Sequence, residues 1–193
     1  MKLVDRLRAG LHSAADQSAL EGDLPEMREG ADVPAAVLMA ITDRERPGLI
    51  LTVRREHMRT HAGQIALPGG RIDQGEDPVA AALREANEEL LLDPACVKLV
   101  GTMERYRTIT GYLVTPVIGV VPPDLPLTPH EQEVAAWFEA PFEHLLDPAN
   151  QHLRSALFQG EERHYYEIVW NDRRTWGATA AMIVNLSRRL KWH

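Results

Sequence analysis

Glu85, Glu88 and Glu89 are the side chains whose type and spacing best suit chemistry. They lie in Asp77-Pro-Val-Ala-Ala-Ala-Leu-Arg84-Glu85-Ala-Asn-Glu88-Glu89, which reads as a helix. Asp77 can cap its free N–H groups, and Pro78 suits the first helical position. Val79, Leu83, Ala86 and Leu90 recur at helical spacing and share an apolar face. At roughly 100° per residue the three glutamates fall within an arc of about 100° on the opposite side. Their mutual repulsion costs roughly 0.2–0.5 kcal/mol per pair in an isolated helix. A hard divalent cation, Mg²⁺ or Mn²⁺, turns that repulsion into binding, because such ions prefer carboxylate, carbonyl and water oxygens. Arg-Glu-x-x-Glu-Glu alone is an ordinary solvated helix face; its surroundings give it another meaning.

A helix needs a turn to aim it, and Pro68-Gly69-Gly70-Arg71 stands just upstream. Pro-Gly-Gly is often only a turn, and nothing here matches the phosphate loop Gly-x4-Gly-Lys-Ser/Thr. Together the two elements spell Gly70-x5-Glu76-x7-Arg84-Glu85-Ala86-x-Glu88-Glu89, with apolar Leu92 beyond. This pattern resembles the Nudix hydrolase box at nearly every defined position. The resemblance implies an α/β/α sandwich with a mixed β-sheet. It implies Glu85, Glu88, Glu89 and the Gly69 carbonyl as metal ligands, with Glu76 and Arg84 orienting the site. One position departs: Leu91 stands where the box has glycine. The expectation is a helix of about residues 77–91 that runs on slightly and stops at Pro94.

Further upstream, Ile50-Leu51-Thr52-x-Arg54-Arg55-x3-Arg59-x3-Gly63-x3-Leu67-Pro68-Gly69-Gly70 resembles a second motif. That motif marks the coenzyme A pyrophosphatase branch of the family, although Arg55 replaces its usual serine. The resemblance covers roughly residues 33–187, including Trp176-Gly-Ala-Thr-Ala180 before the last helix. It implies a substrate of coenzyme A or its derivatives, cleaved to 3′,5′-ADP and 4′-phosphopantetheine. From residue 54 to 71 the chain carries Arg54, Arg55, Arg59 and Arg71 with His57 and His61, against Glu56 alone. Arginine pairs well with phosphate, so Arg54, Arg59, Gly70 and Arg71 are the expected substrate contacts. The competing reading is a solvated basic loop, which fits Arg55, His57 and His61 better.

Glu85, Arg84 and Glu133 are the candidate catalytic residues. Glu133 lies in the loop Thr128-Pro-His130-Glu131-Gln-Glu133, where the resemblance puts an acid near the metals; Glu131 is second choice as general base. The absence of His-Glu-x-x-His argues against a zinc hydrolase. Two alternatives stay open: the same chemistry on ADP-ribose, NADH or a nucleoside triphosphate, and a non-catalytic nucleotide-binding module.

The 193 residues carry 21 basic against 28 acidic side chains, a formal charge of −7 that disfavours nucleic acid and membrane partners. A small nucleoside diphosphate is the expected partner, and a homodimer is compatible with the sequence. Cys96 is the lone cysteine, which fits a reducing compartment. The opening residues lack the apolar core of a secretory signal and Ala35 to Ile41 is far too short to span a bilayer, so cytoplasmic location is expected.

The expected organisation is one domain over residues 1–193, with an N-terminal helix at about 3–14 and a core at about 33–191. Strands are expected at 33–42, 49–54, 97–106, 112–121 and 134–139. Shorter ones are expected at 165–170 and around Trp176, joined by an Asn-Asp turn, and Ile65 to Leu67 leads into Pro68-Gly69-Gly70. A short helix is expected at 141–146 and a closing helix at about 177–191.

Overall fold

The computed structural model describes residues 2–12, 19–23, 32–55, 63–158 and 160–192. Helix α1 (Leu3–His12) is followed by β1 (Val33–Thr42), β2 (Gly48–Arg54), β3 (Ile65–Ala66) and β4 (Gly69–Arg71). Helix α2 (Pro78–Leu90) leads to β5 (Lys98–Thr102), β6 (Tyr106–Arg107), β7 (Tyr112–Val121) and β8 (Val134–Pro141). After α3 (Phe142–Leu146) come β9 (His152–Phe158), β10 (Glu161–Trp170) and β11 (Arg173–Trp176), and then α4 (Ala178–Leu190).

Strands β1 to β8 form one mixed sheet centred on β1. All ten residues of β1 pair in parallel with β7, from Val33↔Tyr112 to Thr42↔Val121. Its other edge pairs antiparallel with β2 at one end and β4 at the other. Both faces are covered, which is why β1 is an uninterrupted apolar run. Ala36, Leu38 and Ala40 face α2, whereas Ala35, Met39 and Ile41 face the larger cluster with α1, α3 and α4. The sandwich expected from the sequence is the architecture found.

The alanines of β1 weaken its strand propensity but serve its packing. Ala36 and Ala40 meet Ala81, Ala82 and Ala86 in the α2 cluster. Small side chains on both partners let the helix lie close to the sheet. That closeness brings the glutamates of α2 against β4.

Three expectations need correction. First, α2 ends at Leu90, not at the proline. Leu91 adopts the left-handed conformation (φ 54°, ψ 31°), and its N–H donates back to the Ala86 and Asn87 carbonyls. The N–H groups of Thr128 and His130 donate to the Leu90 and Glu89 carbonyls, so a further helical turn has no acceptors left there. Leu91 is thus doing the glycine's task with its side chain 62% exposed. A left-handed residue with a Cβ costs roughly 1–2 kcal/mol. Leu91→Gly is therefore expected to stabilise the fold by about 1 kcal/mol, read as a melting temperature about 2–4 °C higher. An unchanged or lower value contradicts this account of the cap.

Second, the expected strand over 97–106 is broken into β5 and β6 around Met103–Arg105, with both pieces paired to β7. Third, the β9–β10 hairpin was not anticipated, although Gln159-Gly160 carries a turn signal and Gly160 has φ 84°. The Asn171-Asp172 turn is as expected: φ values of 46° and 60° fit a hairpin turn whose two central residues are left-handed. The last two residues expected in the first helix, 13 and 14, lie outside the described residues.

Candidate active site

The helix start follows the sequence closely. The Asp77 side chain accepts from the Val79 and Ala80 N–H groups at 2.8 and 3.1 Å, and Pro78 opens the helix. One turn further, Arg84 ties together the pieces that enter the site. Its Nε and Nη2 donate to Glu76 at 3.0 Å each, and Nη2 also donates to the Arg71 carbonyl at 2.9 Å. Its Nη1 donates to Glu85 Oε1 at 2.9 Å and to Glu88 Oε2 at 3.2 Å. The paired arginine holds Glu76 below the usual carboxylate range, and Glu76 in turn raises the Arg84 pKa. Arg84 ties helix, turn and three acids to one another.

Gly70 lies directly against Glu85. A Cβ added there would stand 2.5 Å from the Glu85 Cδ and Oε1 and 2.6 Å from Oε2. Gly69 is packed as closely on the other side, where a Cβ would lie 2.4 Å from the Ala36 carbonyl and 2.6 Å from Val37 Cα. Gly69 is therefore required by close approach of backbone to backbone, whereas a Cβ at Gly70 would push the Glu85 carboxylate out of its place.

Glu89 departs from the expectation of an outward polar arc: it is 4% exposed. The Gly69 backbone lies near its carboxylate and favours the ionised form, but buried Oε2 has no hydrogen-bond partner. Its pKa is pushed up to about 8, chiefly by burial, with Arg54 acting against the shift and like-charge repulsion from Glu85 and Glu133 adding to it. Glu85 is raised too, again chiefly by burial. Protein stability rarely favours a buried, half-satisfied carboxylate, and this one is set among further negative charges.

Two other elements converge here. Strand β2 ends at Arg54 with an irregularity in its pairing to β8 between Val53 and Arg54, and it delivers Arg54 to the vicinity of Glu89. The loop before β8 is clipped to the end of α2 by the Thr128 and His130 bonds at 2.9 and 2.8 Å. That clip brings Glu133 into the field of Glu85 and Glu89. Glu131 instead lines a shallow hollow of about 400 Å³ with Glu88, Leu91 and His130.

The structure thus brings Glu85, Glu88, Glu89, Glu133, Arg54, Arg84, Gly69 and Gly70 together. Arg71 sits beside them, but its Nη2 donates to the Tyr112 hydroxyl at 3.1 Å and its guanidinium lies 5.7 Å from that ring. Arg59, His57 and His61 lie outside the described residues. Sequence reasoning missed the clip made by Thr128 and His130, for backbone donors leave no residue signature. Among the described residues no three acidic or imidazole groups form a ready-made metal cage. Glu85 and Glu88 each give one oxygen to Arg84. The unpaired Glu89 oxygen, crowded by like charges, nevertheless fits a divalent cation, which satisfies the oxygen and removes the repulsion. Glu85, Glu88, Glu89 and the Gly69 carbonyl are the groups that would hold it.

The fold is an α/β/α sandwich whose acids stand on the helix that the glycine turn touches. Residues 32–159 match the NUDIX domain family. The chain is 41% identical over 157 residues to an uncharacterized Nudix hydrolase, NudL, of Escherichia coli O7:K1, covering 81% of this chain and 82% of that protein. It is 42% identical over the same length to NudL of Shigella boydii serotype 4. Its fold is similar to a Nudix hydrolase of M. smegmatis, RenU, with TM-score 0.52, 22% identity and coverage of 66% of this chain and 81% of that one. The chain belongs to the Nudix family, whose hydrolases act on nucleoside diphosphate derivatives and use divalent metal cations.

Proposed function

We propose that the chain, acting as one domain over residues 1–193, hydrolyses the diphosphate bond of coenzyme A or its derivatives with Mg²⁺ or Mn²⁺. The observation that carries the reaction is the buried Glu89 carboxylate, with its Oε2 unpaired, beside Glu85, Glu133 and Arg54. A bound divalent cation supplies charge neutralisation at the phosphate oxygens and lowers the pKa of the attacking water. Glu85 and Glu89, assisted by Glu88, would hold that charge, and Arg84 keeps the acids in register with the Gly69-Gly70 turn. Glu133, exposed and close to both acids, takes the proton from water as general base. Glu131, turned toward the hollow by Glu88, is second choice. Attack on one phosphorus expels the other phosphate, giving 3′,5′-ADP and 4′-phosphopantetheine.

The preference for coenzyme A rests on the arginine-bearing segment between β2 and Gly69. Arg54 lies by Glu89, so it serves the diphosphate that every substrate shares. Arg59 is then the residue assigned to the 3′-phosphate. A panel of coenzyme A, ADP-ribose, NADH and nucleoside triphosphates with Mn²⁺ tests this. Coenzyme A is the expected best substrate, and Arg59→Ala is expected to cost it on the order of tenfold more than ADP-ribose. Equal losses, or turnover of ADP-ribose without coenzyme A, would shift the reading to another nucleoside diphosphate derivative. No turnover of any of them would leave a nucleotide-binding module.

We place the protein in the cytoplasm. Cys96 is a free thiol, and among the described residues no helix is long and apolar enough to cross a membrane.

A further inference from the structure

Strands β9, β10 and β11 form a second, three-stranded antiparallel sheet with β9 at its edge. On its inner side Tyr166, Ile168 and Trp170 of β10 pack against the main core, and β11 lies against β3. The hairpin then runs past the core. From His152 to Leu157 every residue of β9 is exposed. Leu153 pairs with Tyr166 and Leu157 with Glu162, so both leucines continue the face that packs the core. Leu153 is 59% exposed and Leu157 81%. A long edge strand carrying two exposed leucines and no proline is a template for pairing with another strand.

We infer that this edge pairs with the same edge of a second copy of the chain, in an antiparallel two-fold contact centred on Ser155. The register follows from the sequence of β9. A two-fold axis normal to the sheet keeps each face on its own side, so residues of like parity must oppose one another. Centring on Arg154 sets two arginines face to face, which destabilises the pair. Centring on Ala156 leaves Leu157 against Ser155. Centring on Ser155 sets Leu153 against the partner's Leu157 on both sides of the axis, and Arg154 against the partner's Ala156. Only this last register matches leucine with leucine twice and opposes no like charges. Edge hydrogen bonds would then join two three-stranded sheets into one of six.

Sedimentation and cross-linking test this independently of any substrate. At on the order of 100 µM protein, twice the chain mass of 21.6 kDa is expected. The double variant Leu153→Lys, Leu157→Lys is expected to be monomeric, because each lysine would oppose another across the axis. Both positions are exposed, so the fold should survive, as circular dichroism can verify. In a Cys96→Ser background, Ser155→Cys is expected to form an intermolecular disulfide under mild oxidation, since facing residues lie about 4.5–5.5 Å apart at Cα. A monomeric wild type overturns the inference. So does a dimer that survives the lysines, or one that Ser155→Cys fails to cross-link.

Discussion

Glu89→Gln is expected to lower the rate of diphosphate hydrolysis by more than about 10³-fold, a loss of about 4 kcal/mol in the transition state. The isosteric amide keeps the helix and the packing but cannot hold a cation by charge. Stability should move the other way in the absence of metal. The folded-state pKa of Glu89 is about 8, above its ordinary 4.5, so the folded form keeps a proton that the unfolded chain releases. Its contribution to stability is therefore complete at low pH and is lost as pH rises from about 4.5 through about 8. The metal-free variant should match wild type near pH 4 and exceed it by more than about 1 kcal/mol at pH 9, read as a melting temperature at least about 2 °C higher. A variant that hydrolyses normally, or is less stable than wild type at pH 9, contradicts this account of Glu89.

Gly70→Ala is the second large effect expected. The new Cβ would overlap the Glu85 carboxylate at 2.5–2.6 Å, so acid or turn must move. A displacement on the order of 1 Å in a catalytic group costs about 10²-fold in turnover. Gly75→Ala is the matched control. Gly75 has φ 85° but open space around it, so alanine there brings backbone strain without a clash. It should lower the melting temperature and spare turnover. If Gly70→Ala keeps its rate within about threefold of wild type, the contact with Glu85 does not matter to the reaction.

The position of α2 was legible because each of its signals was local. Asp77 and Pro78 mark the start, the apolar spacing marks the packed side, and the glutamates mark the site. Burial of Glu89 was not legible: helical geometry alone put it on the polar arc. Its burial comes from Gly69, Arg54 and the Thr128–Glu133 loop, which are distant in sequence and arrive only through the sheet. Leu91 misled for a related reason. A leucine argues for a longer helix, but the carbonyls that a next turn needs were already taken by Thr128 and His130. Strand β9 and the first half of β10 were hidden by a sequence rich in charged and exposed residues, whose alternation carries little apolar contrast, whereas the apolar second half of β10 was legible at 165–170.

The proposed hydrolysis depends on acids that repel one another until a cation joins them. Melting wild type and Glu89→Gln at pH 8, with and without Mn²⁺, tests that most directly. Wild type should rise by several degrees as Mn²⁺ is added, in proportion to the logarithm of concentration once the site is filling, and Glu89→Gln should not respond. Equal shifts in the two proteins, or none in wild type, would mean that this helix does not hold the metal.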